Sequence, residues 1–210
     1  MIKDFSQLDL NKSYTYADYL TWQFKERVEL IKGKIFKMSP APGTDHQTIL
    51  TSVFRDLALF VKGESCRVFS APFDVRLAVS NEKGKEDTVI QPDICVICDL
   101  SKLDQKGCKG APDLIVEIVS KSSVKKDLHE KFELYQQSGV QEYWIVQPGD
   151  RVVTVYTLNQ KGLYEASRAK TYGDQVASQV LPGFSIELDD VFSNLLEEPE
   201  EGYGDEVERL

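Results

Sequence analysis

The sequence predicts a mixed α/β fold, in which a central sheet of parallel and antiparallel strands is flanked by helices. Short apolar runs rich in Val and Ile recur along the chain, and turn-forming residues bound them. Two longer stretches instead place their apolar residues every three or four positions, as amphipathic helices do. In the middle of the chain these patterns follow the order helix, strand, strand, strand, helix, strand, which is typical of a mixed sheet between helices.

A short helix and a β-hairpin are predicted first. Thr15 and Asp18 have the spacing of a capping box, so a helix is expected to begin there and to run on to Phe24. Apolar and polar residues then alternate over residues 27–31 and 34–38, on either side of a Lys-Gly turn. This pattern predicts two antiparallel strands joined by a tight turn.

A long helix is predicted next, with Thr44 or Asp45 as its cap. One inward face is indicated by the three-and-four spacing of its members, which are His46, Ile49, Leu50, Val53, Leu57, Phe60 and Val61. Strands are then predicted at residues 66–70 and 73–79, before a polar stretch over residues 80–88.

Residues 89–98 and 113–120 are predicted to be central strands of the sheet. Apolar residues occupy both alternating faces of each run, as expected where helices cover both sides. A polar connection over residues 99–112 joins them and carries three lysines, Lys102, Lys106 and Lys109.

The C-terminal half predicts a second helix and several further strands. The helix is expected over residues 127–138, with Gly139 ending it in a left-handed conformation. Its inward face places the Lys131 amine among apolar neighbours, Leu128, Phe132 and Tyr135. The remaining patterns predict strands at residues 142–147, 151–158, 163–168, 175–180 and 184–188 and a short helix at 190–196.

Length and charge indicate one domain, residues 1–196, followed by an acidic tail, residues 197–210. The tail has seven acidic residues and one basic residue, a net charge of −6 out of −9 for the whole chain. The body therefore carries only −3, which does not argue strongly against a nucleic-acid partner. The tail itself is expected to be disordered, because it is highly charged and poor in apolar residues.

The composition also bounds the class of protein. No apolar run approaches the roughly 20 residues of a membrane span, and the first residues lack a signal-peptide pattern. We therefore expect a soluble, cytoplasmic protein with no membrane partner. Its four cysteines (Cys66, Cys95, Cys98 and Cys108) are expected to be reduced thiols. A zinc site on Cys95 and Cys98 is disfavoured, because residues three apart on a strand face opposite ways.

Two acidic residues interrupt the predicted central strands. Asp93 shares its predicted strand face with Cys95 and Ile97, and Glu117 lies between apolar neighbours on its own strand. A buried carboxylate is costly unless a cation or hydrogen-bond donors meet it. Two such acids on neighbouring strands predict a small negative site that is suited to a divalent metal ion.

These residues resemble those of the PD-(D/E)XK nuclease superfamily, which has the restriction-endonuclease-like fold, and most closely its Uma-two family. The resemblance covers nearly the whole chain before the tail, and implies a restriction-endonuclease-like core with an added N-terminal hairpin and added C-terminal strands. It is carried by residues 27–33, His46, Pro92-Asp93, residues 110–120, Asp127, Lys131, Tyr135 and residues 139–146.

The resemblance implies roles for individual residues. Asp93 and Glu117 would be the metal-binding carboxylates, and His46 a further metal ligand of the kind found in some relatives. Val119 stands where the superfamily often has a catalytic lysine, so Lys131 on the following helix would supply that cation. Tyr135, four residues further on, resembles the tyrosine that some relatives carry on this helix.

The implied chemistry is metal-dependent hydrolysis of DNA phosphodiester bonds by an endonuclease. Carboxylate oxygens, with or without one imidazole, suit Mg²⁺ or Mn²⁺. Such an ion lowers the pKa of an attacking water, and a nearby ammonium orients that water or stabilises the transition state. Lys121, Lys125 and Lys126 would contact backbone phosphates, as would the lysines of residues 99–112.

Structural interpretations stay open beside these roles. Asp93 and Lys131 would then be a buried ion pair, Glu117 would accept backbone donors, and His46 and Tyr135 would be core residues. Lys121, Lys125 and Lys126 would simply be solvated. Glu29, between Val28 and Leu30, is equally compatible with the edge of the site and with solvent.

Two other functional hypotheses follow from the same residues. Val119 and the acidic balance favour a catalytically silent nuclease-fold module that binds nucleic acid or protein. In the other hypothesis, the acidic tail covers the lysine-bearing connection, residues 99–112, by imitating the charge of DNA. The added strands also offer a surface for a homodimer.

Overall fold

The computed structural model describes residues 2, 4–38, 41–77, 87–119 and 126–196, although the side chains of residues 126–128 are not described. The acidic tail that we predicted to be disordered lies outside these residues. The helices are α1 (Tyr16–Tyr19), α2 (Thr44–Phe60), α3 (Phe132–Ser138) and α4 (Leu188–Phe192). The strands are β1 (Val28–Ile31), β2 (Lys34–Lys37), β3 (Arg67–Ser70), β4 (Val75–Arg76), β5 (Val89–Ile90), β6 (Ile94–Ile97), β7 (Leu103–Asp104), β8 (Gly107–Lys109), β9 (Leu114–Ile118), β10 (Glu142–Gln147), β11 (Val152–Leu158), β12 (Tyr164–Ala166), β13 (Gln175–Ala177) and β14 (Ser185–Glu187).

The central sheet has six strands in the order β12-β11-β10-β9-β6-β3. Strands β9 and β10 are parallel, whereas the other neighbours are antiparallel. A parallel pair needs a crossover connection, and α3 supplies it here. The mixed α/β class and the central order of elements are therefore confirmed.

The two faces of this sheet are covered by different helices. Ile49, Val53 and Leu57 of α2 are fully buried in the same core as Ile94 and Val116. Each such side chain stabilises the fold by about 1.5–3 kcal/mol relative to an exposed one. Tyr135 and Leu134 of α3 instead pack with Cys95, Ile115 and Ile145 on the opposite face. Successive strand residues alternate between these two cores, which explains their continuous apolar runs.

A second sheet has the order β2-β1-β5-β4-β8-β7, and it corrects two predictions. Residues 89–98 do not form one strand, because β5 pairs in the second sheet and β6 in the central sheet. Pro92 lies between them, where it has no amide hydrogen to donate to a ladder. The break leaves Asp93 at a bend immediately before β6.

The connection over residues 99–112 is also more regular than predicted. It contains the antiparallel pair β7 and β8, and β8 pairs in parallel with β4. Gly107 has a positive φ of 120°, and a side chain there would collide with the carbonyl of Asp74. Polar composition hid these strands, which are only two and three residues long.

Most helix boundaries differ from prediction by a few residues. The Thr15 and Asp18 capping box is present, but α1 ends at Tyr19 instead of continuing to Phe24. The predicted cap of α2 is wrong, because Gly43 is the N-cap and no side chain bonds the first turn there. Residues Lys126–Lys131 form a π-helical turn before α3, and Gly139 ends α3 in the left-handed conformation.

The prediction of reduced cysteines is wrong for one pair. Cys66 and Cys98 form a disulfide across β3 and β6, one position beyond the paired residues Arg67 and Ile97. The bond also removes Cys98 from any zinc site with Cys95. Cys95 and Cys108 are free and buried. Burial raises the pKa of Cys108 to about 11 and also raises that of Cys95, so neither thiol is a nucleophile near neutral pH.

Glu142 fixes the C-terminal segment to the central sheet. Its fully buried carboxylate accepts hydrogen bonds from the amides of Gln179, at 2.7 Å, and Val180, at 3.1 Å. The Trp144 indole and the Ser178 hydroxyl donate to the same carboxylate. These bonds hold the chain that leads to β14 and α4.

Among the described residues, no helix is long and apolar enough to cross a lipid bilayer.

Candidate active site

Glu117 is a charged residue in an otherwise apolar strand, β9, and only 3 % of its surface is exposed. Its side chain lies on the face that α3 covers. The Lys131 ammonium donates to Glu117 Oε1 at 2.7 Å, and the Tyr135 hydroxyl donates to the same oxygen at 2.6 Å. Both donors come from one helical segment, four residues apart, so they present neighbouring positions to the carboxylate.

Lys131 also meets a second carboxylate. Its ammonium lies 3.3 Å from Glu29 Oε1, on β1, and Glu29 is fully buried. Lys131 itself is 4 % exposed. Removing three charges from water is unfavourable unless each one finds partners, and here one cation links two acids from the two sheets. The predicted Asp93–Lys131 pair is therefore replaced by Lys131 with Glu117 and Glu29.

Tyr135 is the neutral member of this cluster. Burial raises the pKa of its hydroxyl well above 10, and the nearby charge of Glu117 raises it further. Tyr135 therefore remains protonated and donates its hydrogen bond throughout the physiological pH range.

Asp93 lies beside this cluster, at the start of β6. The register pairs Ile94 with Val116, so Asp93 lies opposite Glu117 of the neighbouring antiparallel strand. The amide of Ile118 donates to Asp93 Oδ2 at 2.8 Å. The Asp93 side chain therefore takes the place of a backbone acceptor at the end of the β6–β9 ladder. Because Ile118 directly follows Glu117, this bond keeps Asp93 close to Glu117.

His46 contacts Asp93 from the first turns of α2. Its Nε2 lies 3.2 Å from Asp93 Oδ2, and the two side chains are 16 % and 19 % exposed. His46 Nδ1 is buried and has no hydrogen-bond partner among the described residues. The structure thus brings His46 to Asp93, and Lys131 and Tyr135 to Glu117.

The acidic side chains of this site are the groups that could hold a divalent metal ion. In the described part of the chain, no group of three or more His, Cys, Asp or Glu side chains is arranged to hold a metal. Two carboxylates on adjacent strands nevertheless fit Mg²⁺, which commonly takes one or two carboxylates and completes its shell with water and phosphate oxygens. The hydrogen bonds that the Asp93 carboxylate accepts from described residues both reach Oδ2.

Sequence reasoning left Glu29 undecided and missed Gln91. The amide of Gln91 donates to Glu29 Oε1 at 3.1 Å, and its side-chain oxygen accepts two bonds from Arg27, at 3.1 and 2.8 Å. Glu29 had a usable signal, since every other residue of β1 is apolar. Gln91 had none, because its role depends on the break between β5 and β6.

The three lysines predicted to contact substrate fall outside the described side chains. Lys121 and Lys125 lie outside the described residues, and the side chain of Lys126 is not described. Lys102, from the connection before β9, donates to the carbonyl of Ala111 at 2.8 Å. This bond from Lys102 to the carbonyl of Ala111 connects the lysine to the backbone just before β9.

Known proteins support the fold and the family. Residues 16–189 match the model of the Uma2 family, described as "Putative restriction endonuclease". A structure described as a putative nuclease from Anabaena variabilis superposes with a TM-score of 0.66 at 21 % identity, covering 86 % of this chain and 98 % of that one. No curated protein matches the chain.

Proposed function

Because the chain belongs to the Uma2 family of restriction-endonuclease-like proteins, we propose that it is a metal-dependent endonuclease that hydrolyses phosphodiester bonds in DNA. One observation carries the proposal. Glu117 is buried with a lysine and a tyrosine on one oxygen, and it lies next to Asp93 across a strand pair. This combination of acids and a cation suits phosphoryl transfer better than it suits a stable core.

Asp93 and Glu117 would hold a single Mg²⁺ or Mn²⁺ ion at the ends of β6 and β9. When bound, the ion would polarise the phosphodiester and lower the pKa of a water molecule. Glu117 is held on one side by Lys131 and Tyr135, which fixes the direction of its carboxylate. Asp93 is fixed by the amide of Ile118 in the same way.

Lys131 would act on the water or on the transition state. Its ammonium is shared by Glu117 and Glu29, so it is oriented before substrate arrives. An ammonium in a site with little water stabilises developing negative charge more strongly than one in solvent. In this scheme Glu29 is a positioning residue, because it holds Lys131 rather than the reacting atoms.

His46 would position Asp93 through the contact at Nε2. To serve as a third ligand of the ion, it would have to exchange this contact for the metal. Either role requires His46 to sit at the start of α2, where it can reach the sheet. Tyr135 would position Glu117 and take no part in proton transfer, since its raised pKa keeps it protonated.

A cleavage assay tests this proposal. Single- and double-stranded DNA are incubated with the wild type, Glu117→Gln and Asp113→Asn, with Mg²⁺, with Mn²⁺ or with chelator. Asp113 is a matched control, because its carboxylate also caps an amide of the β6–β9 pair, that of Cys98 at 2.7 Å. Metal-dependent cleavage should be lost only in Glu117→Gln. Equal cleavage by all three proteins would overturn the proposal.

A catalytically silent module that binds nucleic acid or protein is the second candidate. It is favoured by the existing bonds to Glu117 Oε1 and by the lack of a ready cluster of three metal-binding side chains among the described residues. In that case no protein in the assay would cleave DNA. Binding to DNA in chelator would persist and would be unaffected by Glu117→Gln.

A further inference from the structure

Arg27 is an exposed cation at the edge of the candidate site. It directly precedes β1, and the β1–β2 ladder continues through it, since the amide of Met38 donates to the Arg27 carbonyl at 2.9 Å. Side chains alternate along a strand, so Arg27 points to the same side of the hairpin as Glu29, two residues further on. Glu29 lies 3.3 Å from the Lys131 ammonium. Arg27 therefore lies on the face of the second sheet that carries the buried charged residues.

The Arg27 guanidinium is held by one neutral side chain, that of Gln91. Its Nε and Nη2 donate to Gln91 Oε1 at 3.1 and 2.8 Å. The nitrogen of the same side-chain amide donates to Asp74 Oδ1 at 2.8 Å, and the Gln91 main-chain amide donates to Glu29 Oε1 at 3.1 Å. Because Gln91 is bonded at both ends of its side chain and at its backbone, it fixes the direction of the guanidinium before any ligand arrives.

Gln91 also places Arg27 beside the proposed metal ligands. A single residue separates Gln91 from Asp93 along the chain. The Glu29 oxygen that accepts the Gln91 amide also contacts the ammonium that is paired with Glu117. Short connections therefore run from Arg27 to both carboxylates that would hold the ion.

The positive charge of Arg27 is not neutralised by an acid. Within the described part of the chain its guanidinium forms no ion pair, and its two hydrogen bonds both reach one neutral oxygen. A guanidinium has five N–H donors, and Nη1 takes part in neither bond, so donors remain for a ligand. Arginine commonly binds phosphate through two parallel N–H groups. A phosphate oxygen of a nucleic-acid backbone is therefore a suitable partner for Arg27.

The hairpin around Arg27 has the charge that attracts a nucleic acid. Residues 25–38 contain five basic and two acidic residues, a net charge of +3 in a chain whose net charge is −9. One of the two acids, Glu29, is fully buried. The exposed ammonium groups of Lys32 and Lys34 donate to neutral oxygens, at 3.0 and 3.3 Å. A polyanion is therefore attracted to this hairpin although the chain as a whole is acidic.

We propose that Arg27 binds a backbone phosphate of the DNA strand that occupies the candidate site, and that Gln91 is the residue that positions Arg27 for this contact. The choice of DNA as the ligand rests on the proposed function, whereas binding at Arg27 requires neither metal nor cleavage. Because phosphate is the same at every nucleotide, this contact would hold the strand in place without selecting a base sequence.

DNA affinity at several salt concentrations tests the proposal without any catalysis. A fluorescent single-stranded oligonucleotide and its duplex are titrated in chelator with the wild type and with Arg27→Gln. One phosphate contact contributes about 0.7 for a single strand, or about 0.9 for a duplex, to the slope of log K against log salt. Arg27→Gln should reduce the slope by about this amount and weaken binding roughly tenfold at low salt. The loss should be the same for strands of different base composition.

Arg67→Gln is the matched control, because it removes the same charge at a different place. Arg67 is also exposed, and its guanidinium also donates to neutral oxygens, two main-chain carbonyls at 3.1 and 2.9 Å. It pairs with Ile97, at the end of β6 that is far from Asp93. Arg67→Gln should leave the salt slope as it is in the wild type.

Two further variants separate the charge of Arg27 from its orientation. Arg27→Lys keeps the charge but loses the paired N–H donors, so the salt slope should be retained while affinity falls. Gln91→Ala keeps the guanidinium but releases it, so it should also retain the slope and weaken binding less than Arg27→Gln does. A slope reduced in Arg27→Lys as much as in Arg27→Gln would contradict a phosphate contact.

The outcomes for Arg27 differ from those for the proposed function. Equal slopes in Arg27→Gln and the wild type, equal losses in Arg27→Gln and Arg67→Gln, or no DNA binding by the wild type would overturn the phosphate contact. A loss confined to strands of one base composition would also overturn it, since Arg27 would then contact a base. DNA binding that depends on Arg27 in a protein that cleaves no DNA would support this contact and count against the proposed function alone.

Discussion

Lys131 and Glu117 form an ion pair of 2.7 Å in which each side chain is only 5 % exposed. The lysine comes from the π-helical turn before α3, and the acid comes from the middle of the central sheet. Glu29 from the second sheet completes the contact. Three distant parts of the chain therefore meet at one buried ammonium, which links the fold to the proposed chemistry.

Lys131→Met should destabilise the protein by about 3–5 kcal/mol, because Glu117 and Glu29 would stay buried without their shared cation. Urea unfolding measures this directly. The triple variant that also carries Glu117→Gln and Glu29→Gln should recover much of the loss. An unchanged unfolding midpoint in Lys131→Met would show that the pair is solvated.

Tyr135→Phe should change the way stability depends on pH. The folded-state pKa of Tyr135 is raised above its ordinary value of 10, so the folded protein holds this proton more tightly than the unfolded chain. Its contribution to stability is fully present below pH 10 and is lost as the pH rises above that value. Between pH 9 and 11, as a rough window around that value, the wild type should therefore lose more stability than Tyr135→Phe does. If the stabilities of the two proteins fell equally with pH, a raised pKa of Tyr135 in the folded state would be contradicted.

His46→Asn should weaken divalent metal binding about 10- to 100-fold, as is typical when a residue that orients a metal ligand is replaced. The reason is that Asp93 Oδ2 would lose its contact with Nε2. Mn²⁺ affinity is the measurement, since thermal stability alone would not separate positioning from packing. Gln47→Asn, one residue along and exposed, is the control and should bind Mn²⁺ normally.

The Cys66–Cys98 bond predicts a specific thiol count. The denatured, unreduced protein should show two reactive thiols, those of Cys95 and Cys108. Replacing both bonded cysteines by serine should lower the free energy of unfolding by about 3–4 kcal/mol, the chain-entropy value for a loop of this length. Four reactive thiols in the denatured protein, before any reductant is added, would contradict the pairing.

Much of the site could be read from the sequence because charge and burial conflict there. Glu117 and Lys131 each stand among apolar residues, and both are buried as their patterns predict. Asp93 was predicted inside a strand, whereas the structure places it at a bend. That difference frees its carboxylate to reach the Ile118 amide and His46 together.

What the sequence could not supply was proximity between distant segments. Glu29 lies on a hairpin that is local in sequence, yet its partner is Lys131, more than one hundred positions away. The disulfide joins residues separated by 32 positions, and only the β3–β6 register brings them together. Strands β7 and β8 were missed because they are short and depend on pairing that the local pattern does not show, of β8 with β4 and of β7 with β8.

Calorimetric titration of Mn²⁺ measures whether Asp93 and Glu117 together hold one divalent ion. The titration is run with the wild type, Asp93→Ala and Asp113→Asn, each with and without a single-stranded DNA whose phosphorothioate linkages resist cleavage. Binding should be saturable in the wild type and in Asp113→Asn, and it should be lost in Asp93→Ala. Unchanged affinity in Asp93→Ala would contradict a metal site at Asp93 and Glu117. So would a lack of saturable binding to the wild type both with and without the DNA.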